Sequence, residues 1–384
     1  MATEFTGVKD VAEYLAERAG SAATDLIHAE PLSGGYLNRV WRVRMPRDLF
    51  GAIVGAGAWR GEGRASATLI VKHAPPYAAR RPDIALDPGR LRFEARALDY
   101  LRSTDREIWN CGPDDRATGS APLKVRVPQL YLYDASRAVI LMEDLGAGLD
   151  LGDAIAAASE ASLWDFRAIG GALGRWLATL HSLKISAGDA NEFRNDAVQA
   201  TRAEIQYRGA ADSLRRVGVA DWRKLGERAA AFGQRLLGPG VGLTMGDLWP
   251  ASVLLADDDR AGIGLIDWEF AHYGRPVQDV AHLAAHLFMR VAVGRKASEG
   301  DRAAAVGRAF LETYLRMLGD QDESLHADSA IHFACEILMR TAGPFQAGYL
   351  FENQTMADPA FRAVVNAAAD ALRDPDWRLT QLFI

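Results

Sequence analysis

Cysteine is scarce. Only Cys111 and Cys335 occur in 384 residues, too few for a disulfide framework, so a reducing compartment is expected. An excess of basic charge is missing too. The 44 Lys and Arg are outnumbered by 50 Asp and Glu, and the net charge of -6 argues against a nucleic-acid partner. Long uncharged apolar runs are also lacking. The stretch from Leu49 to Trp59 is too short and too glycine-rich to span a bilayer. Glu4, Lys9 and Asp10 stand where a secretory signal would have its apolar core, so the expectation is a cytoplasmic protein without a membrane partner. No Gly-Lys-Ser/Thr opens a helix, which excludes a P-loop, and no repeat or low-complexity tract is present. What remains is ordinary globular composition, 49% hydrophobic and 24% charged, in a chain long enough for two lobes.

Residues 1–143 read as a small, mostly antiparallel sheet with a flanking helix. Val8, Val11 and Leu15 form a helical stripe over 7–20, and strand-like segments follow around Leu32, at Val40 to Val43 and at Thr68 to Lys72. The Gly/Arg/Ala-rich stretch from Met45 to Ala67 reads as a long hairpin loop, and 89–102 as a helix with Leu91, Leu98 and Leu101 on one face. After the polar stretch 103–124, further strands are expected at Val127 to Tyr133 and Ala138 to Met142. Residues 144–150 read as a hinge, loosened by Gly146 and Gly148. Residues 151–384 are mainly helical, with stripes at 165–183, 200–237, 278–294, 301–318, 325–351 and 359–373. Gly170, Gly171 and Gly174 would let the 165–183 helix pack closely. The predicted fold is α+β and two-lobed, which suggests a nucleotide cleft between lobes.

The helical half is interrupted at 243–267 by an apparent hairpin, and this is where the chemistry concentrates. Asp247 sits in a Gly-Asp-Leu-Trp-Pro loop before the apolar run Val253-Leu254-Leu255. A second apolar run, Ile263 to Ile266, ends on Asp267, 20 residues after Asp247. A hairpin would return one carboxylate to the other. Such a pair suits phosphoryl transfer, one orienting a hydroxyl and the other holding Mg²⁺, although two exposed turn aspartates would look the same. Ser33-Gly34-Gly35 lies between strands, where glycine lets backbone N–H groups approach phosphate, or simply makes a turn. Lys72 ends an apolar strand, and Glu94 on the next helix could hold it, or both could be solvated. His282 and His286 are spaced i, i+4, with Asp279 three residues before; this is possible metal spacing, but structural histidines are expected. His181 reads as buried or capping. Trp249 and Trp268 flank the two carboxylates and are set apart from the core tryptophans.

The order Ser33-Gly34-Gly35, Lys72, Glu94, Met142-Glu143-Asp144-Leu145, Gly246-Asp247-Leu248 and Asp267 resembles the aminoglycoside phosphotransferase/choline kinase family of small-molecule kinases, over about residues 30–290. Asp267-Trp268-Glu269-Phe270 with Tyr273-Gly274 resembles methylthioribose kinases. Leu32 to Gly35, Val40 to Val43 and Asp247-Leu248-Trp249 resemble fungal hydroxytryptamine kinases. The resemblance implies a protein-kinase-like fold and ATP with Mg²⁺. It makes Asp247 the base at the acceptor hydroxyl and Asp267 the principal metal ligand, with Glu269 as an additional one. It puts Lys72 on the α/β-phosphates, fixed by Glu94, with Ser33, Gly34 and Gly35 as the glycine loop. Met142 precedes the hinge, and backbone groups of Glu143 and Leu145 would meet adenine. Asp279 would brace the catalytic loop. Two positions depart from the family pattern: Met245 replaces a histidine, and Ser252 stands where asparagine would hold a second Mg²⁺. The expected partner is a small hydroxyl-bearing metabolite such as an amino alcohol, hydroxyindole or thioribose-like sugar. The alternatives are an antibiotic phosphotransferase and a non-catalytic pseudokinase.

Overall fold

The computed structural model describes residues 4–22, 24–32, 37–55, 66–104, 123–157, 164–255, 262–294, 297–319, 323–374 and 376–383. Ser33, Gly34 and Gly35 lie outside the described residues, as do Cys111 and the tip of the 243–267 hairpin. The chain divides into two compact units, one made of Met1–Thr104 with Val127–Gly146 and the other of Asp105–Arg126 with Ala147–Ile384.

The first unit contains α1 (Val8–Arg18), β1 (His28–Pro31), β2 (Arg39–Pro46), α2 (Arg47–Val54), β3 (Ser66–His73), β4 (Tyr77–Ala78), β5 (Arg81–Ala85) and α3 (Leu91–Ser103). Strand β6 (Lys124–Arg126) belongs to the second unit, and the chain returns to the first with β7 (Leu130–Asp134) and β8 (Val139–Glu143). Five strands form an antiparallel sheet in the order β1-β2-β3-β8-β7. Side chains alternate between its faces. Trp41, Val43, Leu69, Val71, Val139 and Leu141 join Val11 and Leu15 of α1 in one buried cluster. Lys72, next to Val71, therefore points to the other face, where α3 supplies Glu94. The expected loop from Met45 to Ala67 is corrected in its first part. Residues 47–54 form helix α2, because Phe50 and Ile53 fall on one helical face and are buried at 1% and 8% exposure.

The second unit begins with α4 (Leu151–Ala156), α5 (Phe166–His181), α6 (Ala187–Glu192) and α7 (Asp196–Arg202). A π-helical turn at Ala203–Arg208 leads into α8 (Ala210–Arg216) and α9 (Trp222–Leu236). Strands β9 (Gly242–Thr244), β10 (Val253–Leu255), β11 (Gly262–Leu265) and β12 (His272–Gly274) follow, then α10 (Val277–Val293), α11 (Ala297–Leu318), α12 (Glu323–Thr341) and α13 (Pro359–Arg373). β10 and β11 are antiparallel, as the hairpin reading requires, and β6 joins β11 in parallel. α5 packs on α11 through glycine. A Cβ at Gly170 would stand 2.2 Å from the Val306 carbonyl oxygen, and one at Gly174 would stand 2.5 Å from that of Phe310. The helix expected over 325–351 stops at Thr341. Gly343 and Pro344 follow directly, and the residue before a proline is pushed out of helical geometry. Among the described residues no helix is long and apolar enough to cross a membrane.

Candidate active site

In the first unit, Lys72 Nζ lies 2.7 Å from Glu94 Oε2, and both side chains are 1% exposed. Both charges are buried and lie within direct contact, so Glu94 holds the ammonium in place. Met142 pairs with Ile70 in the sheet and is buried. The Glu143 N–H donates to Gln129 O at 2.8 Å, and its carboxylate accepts from Gln129 N at 3.1 Å. Beyond it, Arg42 donates to both Asp144 oxygens (2.9 and 3.1 Å) and to Gly146 O (2.7 Å), which fixes the segment carrying Leu145.

In the second unit, the loop before Asp247 is braced from beneath. Asp279 of α10 accepts hydrogen bonds from Met245 N (2.9 Å), Gly246 N (2.6 Å) and His181 Nε2 (3.0 Å). His181 is itself bonded to Tyr314 Oη through Nδ1. A buried carboxylate needs such donors, and these immobilise two successive peptide groups next to Asp247. Gly246 has φ +84°, and a Cβ there would meet Phe270 O at 2.4 Å, so a side chain is excluded on both counts.

Asp247 lies at the rim of a buried polar cluster, with 22% of its side chain exposed. Arg202 Nη2 donates to its Oδ1 at 3.0 Å, Arg202 Nη1 donates to Gly246 O, and the guanidinium lies 5.0 Å over the Phe270 ring. His282 Nε2 approaches the same Oδ1 at 3.3 Å. Burial pushes the Asp247 pKa up to about 6, with Glu336 and Glu269 adding to the rise and Arg202 and Arg340 opposing it. Asp247 is thus a carboxylate of raised basicity, held by an arginine at one side.

The loops carrying the other expected residues are joined by a bond from Ile266 N to Ser252 O at 3.0 Å. Ser252 is buried, and its Oγ donates to Trp249 O (2.8 Å) and accepts from Trp249 N (3.1 Å), closing the loop. Asp267 has φ +68°, a left-handed conformation that costs a non-glycine residue about 1–3 kcal/mol and gathers at functional sites. β11 ends at Leu265, so strand alternation does not carry through Asp267 and Glu269. Glu269 is 5% exposed, and its carbonyl accepts from Asn195 Nδ2 at 3.0 Å.

Two tryptophans part company here. Trp268 is fully buried, edge-on to Trp176 at 5.7 Å, and belongs to the core rather than the site. Trp249 is half-buried and faces His286 (5.5 Å) and Tyr349 (6.2 Å). The Arg340 guanidinium lies 5.1, 5.6 and 5.2 Å from the rings of Trp249, Phe345 and Tyr349, while its Nε donates to Glu336 Oε1 at 2.8 Å. Asp279, His282 and His286, whose spacing would allow a metal, do not come together. Asp279 faces the Asp247 loop, and the buried histidines face Glu336 and His332. Sequence reasoning missed Arg202, Asn195 and His332. A histidine between Ile331 and Phe333, in an otherwise apolar helical run, was the visible signal for the last; Arg202 gave none beyond its place in a predicted helix.

The model of the phosphotransferase enzyme family matches residues 28–324. The 4-hydroxytryptamine kinase of Psilocybe cyanescens is 25% identical over 265 residues, 67% of this chain and 66% of that protein. The 4-hydroxytryptamine kinase of Psilocybe cubensis is 23% identical over 304 residues, 77% of this chain and 76% of that protein. Among solved structures, an ethanolamine kinase of Plasmodium vivax superposes with a TM-score of 0.50 at 12% identity, covering 95% of this chain and 89% of that one, a likeness of fold. The braced Gly-Asp loop, the buried Lys–Glu pair and a family match across most of the sequence agree: the chain belongs to the phosphotransferase enzyme family and has its kinase-like α+β fold.

Proposed function

We propose that the protein is an ATP- and Mg²⁺-dependent small-molecule kinase whose acceptor is a planar hydroxylated aromatic compound, a hydroxyindole being the best match. The observation that carries this reading is the juxtaposition around Asp247. A carboxylate of raised pKa lies beside an aromatic group made of Trp249, Phe345 and Tyr349, with Arg340 among the rings. An indole can stack on such faces while offering its hydroxyl to Asp247. The names of the two Psilocybe relatives point the same way.

In this reading Asp247 orients the acceptor hydroxyl and takes its proton as the oxygen forms the new bond to the γ-phosphorus. The bond from that phosphorus to the bridging oxygen breaks, and its electron pair leaves with ADP. Arg202 keeps Asp247 in place and opposes its protonation. Lys72, fixed by Glu94, contacts the α- and β-phosphates, the Ser33, Gly34 and Gly35 segment covers phosphate, and Glu143 and Leu145 offer backbone groups to adenine beside Met142. Asp267 would hold Mg²⁺ with Glu269 as a second ligand. The donor set suits a hard cation, because Asp267 and Glu269, two residues apart between β11 and β12, offer the carboxylate oxygens that Mg²⁺ takes as ligands. Bound there, Mg²⁺ would neutralise phosphate charge. Ser252 is assigned to loop closure, since its hydroxyl is engaged twice by Trp249. An intact set of Lys72, Asp247 and Asp267 speaks against a pseudokinase.

A second reading, an oxygen-rich acceptor such as a thioribose-like sugar, is favoured by one observation. The terminal nitrogens of Arg340 have no protein acceptor among the described residues. An ATP-consumption screen over hydroxyindoles, amino alcohols, pentoses and aminoglycosides separates the two. The highest kcat/KM should fall on a hydroxyindole; a clear preference for a sugar would replace the first reading with the second.

A further inference from the structure

We propose that Tyr207, His332 and His282 form a directional chain of hydrogen bonds that presents an N–H to Asp247 and fixes the orientation of its carboxylate. The proposal rests on the reading of Asp247 as the base. Tyr207 Oη lies 2.6 Å from His332 Nδ1, and His332 Nε2 lies 3.2 Å from His282 Nδ1. His282 Nε2 lies 3.3 Å from Asp247 Oδ1 and has no hydrogen-bonding partner of good geometry, although it is completely buried. Each of the three relay side chains is 1% exposed or less.

Proton counting sets the direction. Tyr207 is a buried phenol whose pKa burial raises well above its usual value, so it keeps its proton. Among the described residues the one acceptor within its reach is His332 Nδ1. Burial lowers His332 to about 3 and His282 well below its usual value, so both rings are neutral and carry one proton each. With Nδ1 accepting from Tyr207, the His332 proton sits on Nε2 and is given to His282 Nδ1. The His282 proton is then on Nε2 and faces Asp247. The opposite order would leave the phenol hydroxyl without an acceptor and set a bare ring nitrogen against a carboxylate. The phenol therefore removes the choice of tautomer at both rings.

The other charged groups around the chain do not take over this role. Arg202 holds Asp247 from α7, and Glu269 approaches it from the loop after β11. Glu336 of α12 lies 3.6 Å from His282 Nδ1, but its oxygens already accept from Gln206 (2.9 Å), His286 (3.0 Å) and Arg340 (2.8 Å). His282, His286 and Glu336 also have ligand atoms within 4.8 Å of one another, close enough for a metal ion. The Arg340 charge at Glu336 stands where that cation's charge would be, and the carboxylate is matched without it.

Nitrogen-15 NMR of the histidine-labelled protein tests the chain without any substrate. In the wild type both His282 and His332 should be neutral Nε2–H tautomers. In Tyr207→Phe, which removes one oxygen atom, both rings should become tautomer mixtures. In the same variant kcat should fall about tenfold while the KM values for ATP and acceptor stay unchanged, as lost orientation predicts. A proton on Nδ1 of either wild-type ring would overturn the proposal, and so would a stoichiometric divalent ion in the purified protein bound to His282. Unchanged tautomers in Tyr207→Phe would do the same. Should the tautomers be as expected while Asp247→Asn keeps full turnover, the chain stands and it is the role of Asp247 that fails.

Discussion

At the scale of single residues, the decisive quantity is the free energy of Asp247. Its folded pKa of about 6 lies above the unfolded value of 3.8, because burial outweighs the arginines beside it. Two outcomes follow with opposite signs. As the proposed base, Asp247 has to be ionised, so kcat/KM should rise with pH through about 6 and level off above it. The folded state binds this proton more tightly than the unfolded one, so the stability it contributes is present below 3.8 and lost as pH rises to about 6. Asp247→Asn should therefore lower kcat by roughly two to four orders of magnitude and yet raise stability at pH 8 by about 1–3 kcal/mol. The gain should vanish near pH 4 in thermal melts at the two pH values. A loss of stability at pH 8 would mean that the Arg202 pair outweighs burial. Glu269 has a separate test. Glu269→Gln should raise the Mg²⁺ concentration for half-maximal activity, and an unchanged Mg²⁺ dependence would leave Glu269 structural. Trp249→Ala should raise the acceptor KM far more than the ATP KM, since Trp249 lies among the Arg340 and Tyr349 side chains and not in the core. Equal effects on both would return it to a packing role.

At the scale of elements, the site depends on how α10 meets the Asp247 loop and how α5 meets α11. Asp279 bonds two backbone N–H groups at once, which neither alanine nor asparagine can reproduce. Asp279→Ala should cost about 3 kcal/mol or more, because the N–H groups of Met245 and Gly246 and the ring of His181 lose their acceptor. Gly170→Ala should cost about 1–3 kcal/mol in urea unfolding, since α5 and α11 would have to part around the Val306 carbonyl. A stability change within about 0.5 kcal/mol would show that the crossing can shift. The same elements show what was legible in the sequence. The hairpin β10–β11, the strand carrying Lys72 and the stripe of α5 follow from periodicity and turn residues and are found, the strand running on to His73. Glu94 could be paired with Lys72 because a carboxylate on an apolar helical face needs a partner. Helix α2 was hidden, since its eight residues bury only two large side chains within a glycine-rich stretch. Arg202 and the relay from Tyr207 were hidden for a different reason. They are contacts across 45 and 125 residues of sequence, set by helix packing and by a π-helical turn that no local pattern announces.

At the scale of the whole molecule, the chain belongs to the phosphotransferase enzyme family, and none of its described helices is long and apolar enough to cross a membrane. The two units divide the chemistry in the proposed function. The sheet unit holds the Lys72–Glu94 pair, and the helical unit holds Asp247, Asp267 and the aromatic group around Arg340. The motif order was legible because it resembles the family's own order; in the proposed function Lys72 and a Mg²⁺ held by Asp267 would offset phosphate charge, and Asp247 would meet the acceptor hydroxyl. The acceptor was not, because the side chains proposed to recognise it, Trp249, Arg340, Phe345 and Tyr349, converge only in the fold. The most direct test of the central claim is phosphorus-31 NMR of the protein with Mg-ATP and 4-hydroxytryptamine. The account predicts ADP together with a new phosphate ester on the indole hydroxyl, formed by the wild type and nearly absent with Asp247→Asn. No phosphate ester from this or any other hydroxyl acceptor in the screen, or equal turnover by Asp247→Asn, would contradict it.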